Sequence, residues 1–116
     1  MANIFKIKTN DAMPASAGTP LTLYTVQSGE TAVVLGLLLC NVHTSAVNVS
    51  VQIVSDTSDH ETNQTVYAVR NAPIPVGGTL EVLTGSKVVL QTTDVLKIDC
   101  SVSAKIDATL SVMEIS

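Results

Sequence analysis

From Leu21 to the end of the chain, apolar and polar residues alternate with a period of two in one short run after another, and turn residues separate the runs. Such alternation sends successive side chains to opposite faces of a strand, leaving one face for a core and one for water or a neighbouring chain. The clearest runs are 46–54 (AVNVSVQIV), 94–102 (DVLKIDCSV) and 106–113 (IDATLSVM). No stretch keeps apolar residues at helical spacing for long enough to compete. The pattern predicts an all-β protein, an antiparallel β-sandwich with the short, even strand spacing of a jelly roll.

Counted from Leu21, the runs make about eight strands. The segment 21–26 turns at Ser28-Gly29 into the apolar run 31–41, and the alternating strand 46–54 follows after a short turn. Residues 55–64 (SDTSDHETNQ) are the most polar stretch and read as an exposed loop. Segment 65–70 returns as a strand. Pro73 and Pro75 then exclude 71–82 from the hydrogen-bonding middle of a sheet, making it an edge or crossover segment. Ahead of Leu21, residues 3–8 alternate like an opening strand, while 10–19 are small and polar with Pro14 and Gly18. The expected organisation is an N-terminal arm or edge strand plus linker over 1–19, then a sandwich domain over 20–116.

With 116 residues and 46% hydrophobic content, the chain can fill one core. That core must be aliphatic, because Phe5, Tyr24 and Tyr67 are the only aromatics. The net charge is -4 and Arg70 is the only arginine, which argues against a nucleic-acid surface. The N-terminus lacks the apolar core of a secretory signal, so synthesis in a cytoplasm is expected. The longest apolar stretch, 32–40 (AVVLGLLLC), is far below the roughly 20 residues of a membrane-spanning helix. It reads as a strand covered on both faces.

Candidate chemistry is sparse. Asp56, Asp59, His60 and Glu61 share one loop but lack the ordered oxygens, turn Gly and bidentate Glu of a calcium loop, so a solvated loop is the reading and no metal or cofactor is expected. His43 and His60 fall in loops without a Gly-x-Ser-x-Gly elbow. Asp94, Asp99, Asp107 and Glu114 read as outward, solubilising charges rather than a carboxylate pair. Gly77-Gly78 is a turn, not a phosphate cradle. Cys40 and Cys100 read as small core side chains with free thiols. Asn48 and Asn63 match the glycosylation pattern by chance in a chain rich in Ser and Thr. An enzyme is not expected.

What remains is surface. The chain ends on 111–116 (SVMEIS), with Met113 and Ile115 on the face opposite Leu110 and Val112. A strand apolar on both faces is expected to be covered by another chain, and a symmetric oligomer such as a trimer would do so. The candidate contact residues are Ile4, Phe5 and Ile7 in the N-terminal segment, Pro73, Ile74, Pro75 and Val76 in the proline-bearing edge, and Met113 and Ile115 at the end.

The phrases LYTVQSGETAVVLGL (23–37), NAPIPVGGTLEV (71–82), TDVLKI (93–98) and ATLSVMEI (108–115) resemble short virion structural proteins of tailed bacteriophages. Thr93 stands where a Gly is usual in that pattern. The resemblance implies a β-sandwich virion component without catalytic residues, and within that class a capsid decoration, or cement, protein bound to the major capsid protein. A neck, tail or fibre-base component has the same composition. A glycan-binding module with the 55–64 loop as its rim is the alternative from another class.

Overall fold

The computed structural model describes residues 3–56, 63–82 and 88–116, and among them every regular element is a strand. In chain order these are β1 (Asn3–Met13), β2 (Leu21–Thr25), β3 (Thr31–Asn41), β4 (Val47–Val54), β5 (Thr65–Ile74), β6 (Thr79–Val82), β7 (Val88–Leu90), β8 (Val95–Cys100) and β9 (Ile106–Ile115). The abundant Val, Ile and Thr suit this, since β-branched side chains pack well on a pleated surface.

The pairing is nested. β1 pairs with β9, β2 with β8, β3 with β6 and β7, and β4 with β5, all antiparallel. The chain is thus a long hairpin rolled up so that β3 also meets β9 and β4 also meets β8. Rolling produces two sheets, β1-β9-β3-β6 with β7 prolonging the β6 edge, and β2-β8-β4-β5. With β6 and β7 taken as one interrupted strand, this is the eight-stranded order of a jelly roll.

The inner faces carry the core. β9 alternates without a break, with Ile106, Ala108, Leu110 and Val112 buried and the residues between them half-exposed. Ala32, Val34, Leu37 and Leu39 of β3, Val82 of β6, Leu90 of β7 and Met13 of β1 complete that sheet's contribution, and Leu96 and Ile98 of β8 with Val47, Val49 and Val51 of β4 oppose them. Each fully buried aliphatic side chain of this kind stabilises the fold by about 1.5–3 kcal/mol.

The N-terminal segment is more integrated than its sequence suggests. Asn3–Met13 is one continuous edge strand along β9, and Met13 is completely buried in the core. The polar stretch after Met13 is tied down too: the Gly18 amide donates to Asp99 Oδ1 at 3.0 Å and the Ala17 amide to Ser103 Oγ at 2.8 Å. Strand pairing, not side-chain burial, holds β1, which explains why an alternating but mostly polar stretch reads locally as an arm.

Turn chemistry fixes the ends of strands. Gly77 has a φ of +72°, and a Cβ on Gly78 would lie 2.9 Å from Pro75 Cγ, so this tight turn needs both glycines. Thr93 adopts a φ of +74°. That left-handed conformation disfavours a β-branched residue and suits glycine.

Candidate assembly surface

The register brings four outward-facing side chains into one row across the first sheet. Phe5 pairs with Met113, Met113 with Val33, and Val33 with Val89, so the row crosses β1, β9, β3 and β7. Phe5 is 71% exposed and Val89 55%. Ile7, Leu35 and Leu38 are exposed on neighbouring positions, and Ile115 is half-buried beside them. Acidic residues bound one end: Leu38 pairs with Glu81, Cys40 with Asp107, and Asp11 shares a shallow hollow with Asp107.

The residues nominated from sequence divide between surfaces. Phe5, Ile7, Met113 and Ile115 meet on this face. Ile4 pairs with Glu114 and points to the inner side of β1, near the seam with β2. Pro73, Pro75 and Val76 are exposed on the other sheet's edge and its following turn. Ile74 is corrected: it is 1% exposed and belongs to the core, because β5 alternates there and turns it inward. Val33, Leu35, Leu38 and Val89 were missed. For Val33, Leu35 and Leu38 the signal was the two-sided apolar run of β3, which is covered on its inner face only; Val89 joins them from β7 through its pairing with Val33.

A second exposed apolar site sits at one end of the sandwich. Asn41 is buried, and its amide Nδ2 donates to the carbonyls of Ser45 and Ile74 at 3.0 Å and of Pro75 at 3.2 Å, while its Oδ1 accepts from the His43 amide at 2.8 Å. One side chain thereby holds the β3–β4 and β5–β6 turns together. Those turns present Val42 and Val76, 48% and 58% exposed. His43 lies in this corner as a turn residue.

At the opposite edge, between β1 and β2, Glu114 is corrected from an outward charge to a buried one. Its Oε2 accepts a hydrogen bond from the Tyr24 hydroxyl at 2.6 Å, and its Oε1 takes the Lys6 ammonium at 2.8 Å. The Lys6 and Tyr24 contacts hold the Glu114 carboxyl below its usual range. The same carboxylate raises Lys6, and burial followed by the Glu114 hydrogen bond raises Tyr24. A cleft of about 380 Å³ opens beside this trio, lined also by Lys8, Thr22 and Gln27. Because the three polar groups satisfy one another, the cluster works as a link between β9 and β2.

Asp94 is likewise buried, not outward: its carboxylate accepts from the amides of Asp56 at 2.7 Å and Gln91 at 2.9 Å. Asp99 and Asp107 are half-exposed as expected of surface charges. Of the loop acids and imidazole, Asp59, His60 and Glu61 lie outside the described residues. Among the described residues, no three His, Cys, Asp or Glu side chains group closely enough to hold a metal ion. Cys100 is in the core as a free thiol, whereas Cys40 is a free, half-buried thiol on the outer face.

No family model matches the chain, and no curated protein matches it. Solved structures do. A structure described as "Bacillus endospore appendages form a novel family of disulfide-linked pili" aligns with a TM-score of 0.54 and 12% identity, over 99% of this chain and 87% of that one. A chain of the T13 IBDV viral particle aligns with a TM-score of 0.55 and 14% identity, over 97% of this chain and 34% of that one. The chain therefore spans about a third of the viral protein. At these identities the likeness establishes the shared sandwich fold.

Proposed function

We propose that this chain is a non-enzymatic structural subunit of a virion, acting as a capsid decoration protein that binds major capsid subunits and reinforces the shell. The observation that carries the reading is the presence of two separate exposed apolar surfaces on one small domain. A block in a multi-copy assembly needs at least two such contacts, and a monomer that works alone needs neither. The outer face of the first sheet is one. The corner held by Asn41, with Val42, Pro75 and Val76, is the other and would face the shell.

Bridging two neighbours gives each copy two contacts, and the symmetry of a shell multiplies them, so modest individual affinities suffice. The test is to purify the particle and count and locate the copies by quantitative gel and cryo-electron microscopy. Hundreds of copies on the shell are expected. A dozen or fewer at one vertex moves the protein to the neck or tail, and absence from particles rejects the virion role. Val42→Asp with Val76→Asp should strip the protein from the shell without unfolding it.

One observation favours a second reading, a filament subunit: the pilus chain is matched nearly end to end, whereas only a third of the viral chain is. Regular filaments formed by the purified protein under negative-stain electron microscopy would select it.

A further inference from the structure

We propose that the free edge of β1 accepts an extended segment of a different protein as an added strand, one whose inward side chains are acidic and whose outward side chains are apolar. The proposal deepens the structural-subunit reading and rests on it only in taking the segment to come from another component of the assembly. Three observations carry it.

The first is the edge itself. Among the described strands, β1 is the one long and regular edge: Asn3 to Asn10 pair with β9 without a break and include no proline. The other edges are blunted by the devices that discourage strand addition, namely shortness, bulges and proline. β2 has five residues and a register shift between Thr22 and Tyr24. β5 carries Pro73 and pairs with β4 through two register shifts, and the far edge of the first sheet is divided between β6 and β7. The backbone donors and acceptors along β1 are open to a partner of matching length.

The second is the chemistry of its two flanks. On the outer flank Phe5 and Ile7 are 71% and 67% exposed, because no strand lies beyond them. Apolar side chains opposite them would prolong the apolar row by one strand, and aromatic and β-branched cross-strand pairs are favourable. On the inner flank Lys6 and Lys8 border the cleft of about 380 Å³ between β1 and β2. Glu114 binds Lys6, and Glu30 adds to the negative field on it. Among the described residues Lys8 has no ion-pair partner, and Thr22, Thr25 and Gln27 are exposed at the cleft beside it. A strand added to β1 sends every second side chain over this cleft, where an acid meets the Lys8 ammonium and these polar groups.

The third selects the occupant. An antiparallel pairing of the regular stretch of β1 with its own copy sets lysine opposite lysine, and like charges directly opposite are destabilising. The chain's other free edges do not supply the acids: β5 carries Arg70 and no acid, β2 and β7 carry no charge, and β6 is four residues long. β9, which does alternate acid with apolar residues, is already paired on both sides. The complementary segment therefore belongs to another chain, and the two lysines exclude a second copy while admitting an acidic strand.

The experiment uses the full chain and, as probe, a fluorescein-labelled peptide of about nine alternating valine and glutamate residues, long enough to span the edge. Fluorescence anisotropy should give a Kd of about 10–100 µM, and the matching valine-lysine peptide should bind weaker by about tenfold or more. Lys8→Glu should reverse that order with unchanged thermal melting, since its side chain is exposed. Binding should slow hydrogen exchange in residues 3–13 and leave residues 65–74 unchanged. Valine-glutamate peptides N-methylated at every valine or at every glutamate should differ by about tenfold or more, because a strand bonds to one neighbour through the amides of alternate residues. Equal binding of the acidic and basic peptides overturns the proposal, as does protection outside β1, equal binding of the two methylated peptides, or a wild-type protein that dimerises through β1. If no peptide binds and copies are found on the particle, strand addition is overturned and the structural-subunit reading stands. If the acidic peptide binds as described and particles contain no copies, the reverse holds.

Discussion

The two sheets present rows of the same geometry and opposite chemistry. Across the second sheet the outward row runs Thr22, Lys97, Gln52, Tyr67, each paired with the next. Across the first it runs Phe5, Met113, Val33, Val89. Both lie over equally apolar inner faces, so folding demands nothing of either outer row. The polar row shows what an antiparallel sheet facing water carries, with one face packed and one solvated. The apolar row departs from that rule, and a departure that folding does not require points to a contact made after folding.

The comparison breaks first on a single strand. Leu110 faces the core from β9 and Met113 faces out, three residues apart. Leu110→Ala should cost about 3 kcal/mol in chemical denaturation, the range for a buried leucine. Met113→Ala should cost under about 1 kcal/mol in the monomer, because truncating an outward side chain opens no core cavity. Equal losses would mean that the outer face is a second core and not a docking surface.

A smaller effect tests whether the two apolar surfaces are independent. Asn41→Ala removes the Nδ2 donor from the Ser45, Ile74 and Pro75 carbonyls, of which Pro75 keeps the Gly78 amide, and should lower stability by about 2 kcal/mol. An apolar dye bound to the outer face should still bind. Dye binding that falls in step with the loss would join corner and face into one surface. Smaller again, and of opposite sign, is Thr93→Gly: it relieves a β-branched residue at a φ of +74° and should raise stability by about 1 kcal/mol. The turn lies four residues from Val89 and from Lys97 but alters no side chain of either row, so dye binding to the outer face should not change.

Local pattern reached the fold and stopped at register. Alternation on β9 assigns Leu110, Val112 and Glu114 to one side and Met113 and Ile115 to the other, and the structure agrees. Reading Glu114 as a solubility charge set that alternation aside, because its partners lie elsewhere: Tyr24 is 90 residues away in sequence. Asp94 was missed for the same reason, as its burial depends on an amide at Asp56. The apolar row is assembled by three strand pairings, and no stretch of chain contains it. Leu35 and Leu38 did announce a second apolar face on β3, but a strand buried on both sides and one awaiting a partner have the same sequence. Ile74 shows the converse. Flanked by two prolines it looks like an edge, and its strand is one, yet alternation turns that side chain into the core.

The polar link between the sheets gives the smallest effect and the one with a defined pH signature. The Lys6–Glu114–Tyr24 cluster holds Glu114 below its ordinary value of 4.5 and raises Lys6 above 10.5. A lowered carboxyl stabilises the fold fully above its unfolded value, and that contribution fades as pH falls from 4.5 through the folded value. A raised ammonium contributes fully below its unfolded value, and its share fades as pH rises from 10.5 through the folded one. Lys6→Met should therefore melt below the wild type by a difference that is flat between about pH 5 and 10 and shrinks outside those limits. The difference should be small, since the Lys6 side chain is 48% exposed and solvent and salt screen the pair. Lys8→Met removes the same charge from the same strand without touching Glu114 and should show no such plateau. If both variants trace the same curve, net charge rather than the link sets the profile. The polar link between the sheets is then the Tyr24 hydroxyl on Glu114 alone, and the sheets still differ in their outer rows.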